Sequence, residues 1–322
     1  MGNRRSLKKL VRKSNSATCD LAELGGRYNL AVCFLRLFGT DDALSHHLDA
    51  FRRLYTTPDD ASDSNPDPYL TVVERLSRAT VVVVGLGGVG SWAAEALCRS
   101  GVGNLVLIDL DDICISNTNR QLHALSSTVG TMKIEEMKRR ILDINPQCNV
   151  TLIHDFVGPD NVQDILLGLP GVSACLDAID GARGKTSLIA ACASLKIPIV
   201  TCGGSAGRTD PTKFVSDDLT RVQNDKLLAA CKKELRKNYG FEAGLSFREL
   251  QHNKAPSKWR IKAVYSMEIP KIVRDNGSSM RRCDGALGTA CFVTGTAGFI
   301  AAGLIVDMIA KDQLKAPKCL IR

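Results

Sequence analysis

Six residues constrain this chain more than any others. Gly85-Leu86-Gly87-Gly88-Val89-Gly90 follows the β-branched run Thr80–Val84 and runs directly into a helical pattern over Ser91–Ser100. A short apolar strand that stops at glycines and turns at once into a helix belongs to a βαβ unit, and such units build parallel sheets. The alternation continues with strands expected at Asn104–Asp109, Val150–His154, Ser173–Asp177 and Ile197–Thr201. Helices are expected between them at Lys133–Ile144, Asn161–Leu167 and Lys185–Leu195. The fold class is therefore α/β: a Rossmann-like, mostly parallel, doubly wound sheet with its ligand site at the C-terminal ends of the strands.

After about residue 205 the alternation weakens. Leu227–Lys237 reads as a basic helix, Ile261–Ser266 as a strand and Val273–Arg282 as a polar, basic loop. Ala290–Ile309 is apolar for long enough to span a membrane. Its Gly295, Gly298, Gly303 and Asp307, at the end of an α/β chain, favour a buried core helix.

Composition excludes several classes. At 322 residues, 44% hydrophobic and 24% charged, the chain fits neither wholesale disorder, nor a collagen repeat, nor a coiled coil. It has twelve cysteines, none spaced C-x-x-C, and no unbroken apolar stretch within Met1–Leu21. They read as reduced thiols of an intracellular protein, not a disulfide scaffold or a paired-knuckle zinc site. Charge is unevenly spread: residues 20–220 carry a net −8 and residues 221–282 a net +9. A basic lobe of that kind suits a polyanionic partner, or is a solvated surface.

The first 26 residues read as a basic targeting or disordered segment. Met1-Gly2-Asn3-Arg4-Arg5-Ser6 fits the N-myristoylation pattern, acting at Gly2. One acyl chain anchors weakly, and Arg4, Arg5, Lys8, Lys9, Arg12 and Lys13 could add electrostatic binding to a membrane surface, with Cys19 open to palmitate. Such a protein is cytoplasmic and peripherally membrane-bound. A mitochondrial address and a plain tail are the alternatives. Residues 27–69 read as a helical extension followed by the acidic loop Thr56–Pro68, and residues 311–322 as a tail.

Three constellations carry chemistry. The glycine loop can bring backbone amides and a helix N-terminus to a phosphate, and Asp109, ending the next strand, can accept ribose hydroxyls. That pair serves NAD as well as ATP. The second constellation, Asn117-Thr118-Asn119-Arg120-Gln121 with Lys133 beyond it, separates the two. A departing pyrophosphate needs cations where charge builds, and Arg120 and Lys133 are the candidates. The third is Asp177-Ala178-Ile179-Asp180, with Arg183 and Lys185 just behind it. Asp180 is the candidate for Mg²⁺, which keeps waters beside substrate phosphates, or alternatively caps the next helix.

Taken in order, these motifs resemble the ubiquitin-activating/ThiF-like adenylating superfamily, and within it the tRNA threonylcarbamoyladenosine dehydratase branch. The resemblance runs through GGVGSWAAEAL, DDICISNTNRQLHAL, VGTMK, ILDINP, IPIVTCGGSAGRTDPTKF and AVYSME to Arg282-Cys283-Asp284-Gly285, over roughly residues 70–310. It implies an adenylating domain with a smaller α+β part facing the substrate. It implies ATP-dependent dehydration of threonylcarbamoyladenosine beside a tRNA anticodon, through an acyl-adenylate. Gly85, Gly87, Gly88 and Gly90 would cradle ATP, Asp109 the ribose with Asp111 nearby, and Asn117, Arg120, Gln121 and Lys133 the phosphates. Asp180 would organise Mg²⁺. The tRNA is expected on residues 221–282, and a homodimer and a sulfur-transfer partner protein are further expectations.

An activating enzyme for a ubiquitin-like or sulfur-carrier protein is the alternative, and it would need an essential cysteine. Cys283, beside Arg281 and Arg282, is the one to consider, although a cysteine without catalytic consequence is favoured there. Before the acidic loop, Arg52 and Arg53 are present, but His47 stands where the family pattern leads one to expect an arginine.

Overall fold

A computed structural model describes residues 54–55, 68–242, 257–271 and 288–318. The N-terminal segment with Gly2, the His47–Arg53 stretch and the Arg281–Cys283 motif lie outside the described residues. The elements run α1 (Pro68–Arg78), β1 (Thr80–Val84), α2 (Gly90–Arg99), β2 (Asn104–Ile108), α3 (Lys133–Ile144), β3 (Asn149–Ile153) and α4 (Val162–Leu167). They continue with β4 (Val172–Asp177), α5 (Ala182–Ser194), β5 (Ile199–Cys202), β6 (Phe214–Asp218), α6 (Lys226–Asn238), β7 (Lys262–Ser266) and α7 (Cys291–Ala310).

Seven strands form one sheet in the order β3-β2-β1-β4-β5-β7-β6. All neighbours pair in parallel except β6, which runs antiparallel to β7. The continuous valine run of β1 follows from its place inside the sheet, where both faces are covered and Val81–Val84 are buried. Val82 and Val84 join Val106, Ile108 and Cys175 in a core closed by Leu188, Ile189 and Cys192 of α5 and by Leu166 of α4. Val81 and Val83 point to the opposite face, as the two-residue period of a strand requires. Helix α2 packs there, between α3 and α7.

The sheet reverses direction of growth at β1, flanked by β2 on one side and β4 on the other. The chains leaving β1 and β4 diverge to opposite faces and open a crevice at their carboxyl ends. Everything expected of the glycine loop depends on that opening.

One region differs from the sequence reading. Strand β6 was not anticipated; it is exposed at the sheet edge and its pattern, FVSDD, is too polar to register as an apolar strand. With β7 it extends the main sheet, so the α+β part shares one sheet with the nucleotide-binding half. Helix α7 is long and apolar enough to cross a membrane by length and composition, yet it serves as a core helix. It packs against α2 and α1 and reaches β4 and β5.

Asp225 organises the turn into α6. Its Oδ1 accepts the Leu228 N–H at 2.9 Å as an N-cap, and its Oδ2 accepts from Gly204 N–H and from Arg208 Nη2 at 3.0 and 3.2 Å. Arg208 and Asp225 are both buried, so each neutralises a charge that would be costly alone. The pair fixes the Gly203-Gly204 turn at the end of β5, which faces the crevice.

Candidate active site

The crevice holds a cavity of about 810 Å³. One wall is the glycine loop with Asp109, Asp111, Asn117, Arg120, Gln121 and Lys133; the other includes Ala178–Asp180, the Gly203–Ala206 turn and Thr289. All the sequence-derived site residues except Gly90 line it, and Gly90 underlies the loop. Ile108, Phe156 and Val157 supply apolar surface suited to a base.

The loop needs its glycines for steric reasons. Gly85 has φ +87°, which L side chains rarely adopt. A Cβ on Gly90 would lie 1.8 Å from the Gly85 carbonyl oxygen, because helix α2 starts directly against the turn. The Gly85 N–H is taken by the Ile108 carbonyl at 2.9 Å, and Gly87, Gly88 and Val89 line the cavity at the positive end of the α2 dipole.

Asp109 binds the loop from below. Its Oδ2 accepts the Leu86 N–H at 2.6 Å and its Oδ1 accepts the Asp111 N–H at 2.9 Å. Lone pairs remain on both oxygens for a ribose hydroxyl. Asp111 in turn meets Lys133 Nζ at 2.6 Å. Lys133 opens α3 and is 5% exposed, and its ammonium has two further protons to donate into the cavity.

A 3₁₀ turn, Ile115–Asn117, leads into the N-x-x-R-Q element, which continues as a turn with the Arg120 and Gln121 N–H groups donating to the Asn117 carbonyl at 3.0 and 2.9 Å. Asn117 uses its Oδ1 to accept the Cys114 N–H at 3.0 Å, which leaves its amide NH₂ for a phosphate. Arg120 donates from Nη1 to the Ser116 carbonyl at 2.6 Å and to Asn119 Oδ1 at 3.0 Å. Its own carbonyl accepts from Trp92 Nε1 of α2 at 3.1 Å and from Thr294 Oγ1 of α7 at 3.0 Å. Two helices thus fix the backbone that carries the arginine. Gln121 is buried, and its Oε1 has no partner among the described residues, so it could accept from a donor on a bound ligand.

Asp180 stands exposed at the cavity mouth. It does not cap α5, whose N-cap is Gly181 with no side-chain cap bond. The two bases behind it part company. Arg183 is exposed, whereas Lys185 is fully buried and bonds to Asp177 Oδ2 at 2.9 Å, beside Thr201 Oγ1 at 3.3 Å. Asp177 therefore faces the core beneath the site, and of the two carboxylates of that strand end only Asp180 lines the cavity.

Sequence reasoning passed over several functional neighbours. Trp92, Thr294 and the Arg208–Asp225 pair have no local signature, because each acts through a contact distant in sequence. His123 lay inside a quoted motif as a lone histidine; it is fully buried below the glycine loop. Cys202 also lines the cavity, and burial pushes its thiol up to about 12, so it is protonated at neutral pH.

The ThiF family model matches residues 65–317. The tRNA threonylcarbamoyladenosine dehydratase of Haemophilus influenzae is 42% identical over 243 residues, 74% of this chain and 88% of that protein. That of Bacillus subtilis is 35% identical over 248 residues, 74% of this chain and 90% of that protein. Among solved structures, the Escherichia coli tRNA N6-threonylcarbamoyladenosine dehydratase TcdA in complex with ATP matches with TM-score 0.68 and 37% identity. It covers 84% of this chain and 97% of that one. With the glycine loop, the Arg120 and Lys133 cations and the strand-end Asp180 gathered on one cavity, this chain belongs to the ThiF family, alongside the tRNA threonylcarbamoyladenosine dehydratases.

Proposed function

We propose that this protein is an ATP-dependent dehydratase of N6-threonylcarbamoyladenosine in tRNA. The observation that carries the reading is the convergence of phosphate-binding backbone, two cations and an exposed carboxylate on one cavity, in a chain similar along most of its length to named dehydratases.

The threonyl carboxylate is a poor acyl donor, because its leaving group would be oxide. A carboxylate oxygen attacks the α-phosphorus of ATP, the bond to the β-phosphate bridge breaks, and pyrophosphate leaves. The ureido group of the same substrate then attacks the acyl carbon and loses a proton as AMP departs with the bonding electrons. The net change is loss of one water, coupled to ATP going to AMP and pyrophosphate. Since the nucleophile belongs to the substrate, proximity does much of the work.

Each residue has a role in that sequence. Amides of the loop beyond Leu86 receive the phosphates, and Asp109 receives the ribose. Arg120 and Lys133 take up the charge that builds as pyrophosphate leaves, with Asn117 as a neutral donor, Gln121 beside them and Asp111 holding Lys133 in place. Mg²⁺ fits at Asp180, a hard oxygen donor at the mouth; the ion holds most of its waters beside phosphates and needs no protein cage, and it would neutralise phosphate charge there. Among the described residues no three ligating side chains cluster.

The tRNA belongs on the basic side of α6 and β7, where Lys233, Lys237, Lys258 and Arg260 are exposed. The same reading carries a homodimer, a sulfur-transfer partner and a membrane or mitochondrial address at the N-terminus. The last rests on Gly2 and its basic neighbours.

The test is pyrophosphate release from ATP and Mg²⁺, with and without tRNA bearing threonylcarbamoyladenosine, followed by mass analysis of the nucleoside. ATP-dependent loss of one water, abolished in Asp180→Ala, is the expected result. Pyrophosphate without change in the nucleoside would overturn the dehydratase and direct attention to a carrier protein as acyl acceptor.

A further inference from the structure

Leu86 sits between Gly85 and Gly87, and its two backbone groups are held by two different side chains. Its N–H donates to Asp109 Oδ2 at 2.6 Å, and its carbonyl oxygen lies 2.7 Å from His123 Nε2. A carbonyl only accepts, so His123 Nε2 carries a proton. His123 is fully buried, and among the described residues its Nδ1 has no partner.

The ring has reason to stay neutral. Burial lowers its pKa, as does the nearby Lys133 ammonium, while the Leu86 carbonyl, Asp109 and Glu136 act in the opposite direction. A second proton, on Nδ1, would make a buried cation with no acceptor beside an existing one. Neutral imidazole with Nε2–H is the one tautomer that fits both nitrogens.

The consequence follows from peptide planarity. In a trans peptide the carbonyl of one residue and the N–H of the next point in opposite directions. With the Leu86 carbonyl drawn down to His123, the Gly87 N–H is turned the other way, and Gly87 lines the cavity. We propose that His123 is a positioning residue for the nucleotide: its Nε2–H fixes the Leu86–Gly87 peptide so that the Gly87 amide faces a bound phosphate. This rests on the reading of the cavity as a nucleotide site.

The test compares AMP with adenosine, which differ by the phosphate alone, by calorimetric titration of the folded full-length protein. His123→Phe keeps a ring but removes the donor. It is expected to weaken AMP binding about tenfold and leave adenosine binding within twofold, with His123→Gln restoring most of the loss through its amide N–H. A merely structural role would move both ligands together, and an unchanged AMP-to-adenosine ratio overturns the proposal. Wild-type protein that does not distinguish AMP from adenosine would instead overturn the nucleotide-site reading itself. Nitrogen-15 spectra of the wild-type imidazole give a second measurement that needs no variant. A neutral Nε2–H ring between pH 6 and 8 is expected, and an Nδ1-protonated ring overturns the assignment.

Discussion

Asp111 and Lys133, 22 residues apart, meet at 2.6 Å on the wall of the cavity. The lysine is buried and the aspartate half-exposed, so the carboxylate aims an ammonium that has little freedom of its own. Lys133→Ala removes the charge that would answer a departing pyrophosphate. The expected loss is about 10²-fold or more in turnover, by analogy with deleting one preorganised donor. Asp111→Asn, which keeps the shape, should lose less. Steady-state pyrophosphate release would check both, and equal activity of Lys133→Ala and wild type would remove the lysine from the mechanism.

Asp177 and Lys185 form a different kind of pair. Both side chains are fully buried, and Thr201 Oγ1 and the Ile179 N–H also donate to the carboxylate, at 2.6 and 3.1 Å. Lys185→Met leaves a buried carboxylate without its cation and should destabilise the fold by about 3–5 kcal/mol. Replacing both partners, Asp177→Leu with Lys185→Met, should cost less than the single change. Urea denaturation would measure this, and a single variant as stable as wild type would contradict the buried pairing.

Two glycines of one loop should respond differently. Gly90→Ala places a methyl 1.8 Å from the Gly85 oxygen, where backbone must shift. Overpacking of that kind costs about 1–3 kcal/mol, occasionally more. Gly87→Ala meets nothing nearer than Gln121 Nε2 at 3.9 Å, so its fold stability should stay within about 0.5 kcal/mol of wild type. Thermal melts of the two variants distinguish the sites, and similar losses would mean that the loop is shaped otherwise.

The basic lobe contains two populations of charge. Lys232 donates to the Val222 carbonyl at 2.8 Å, and Arg236 lies over the Trp259 ring at 5.2 Å. Burial lowers the pKa of both, and they serve the packing of α6. Lys233, Lys237, Lys258 and Arg260 are exposed. Changing these four to Glu should weaken tRNA binding and flatten its salt dependence, with AMP binding unchanged. Arg236→Ala should instead lower stability by about 1 kcal/mol. Binding titrations at two or more salt concentrations would decide, and an unaltered slope would move the tRNA elsewhere.

Local order was open to inspection in the sequence because it is written in short patterns. A β-branched run, a glycine turn and a helical period identify β1 and α2 without reference to the rest of the chain, and helix α3 begins and ends where its pattern does. The candidate site residues line one cavity for a related reason, since their motifs lie near the carboxyl ends of strands. What tertiary structure alone decided is where each side chain points. Arg183 and Lys185 are two residues apart on α5, about 200° around the helix, so one meets solvent and the other the core; only the packing of α5 on the sheet determined which. His123 reaches Leu86 across 37 positions, and β6 becomes a strand because β7 offers it an edge. Such contacts join residues distant in the chain, and no local pattern encodes them.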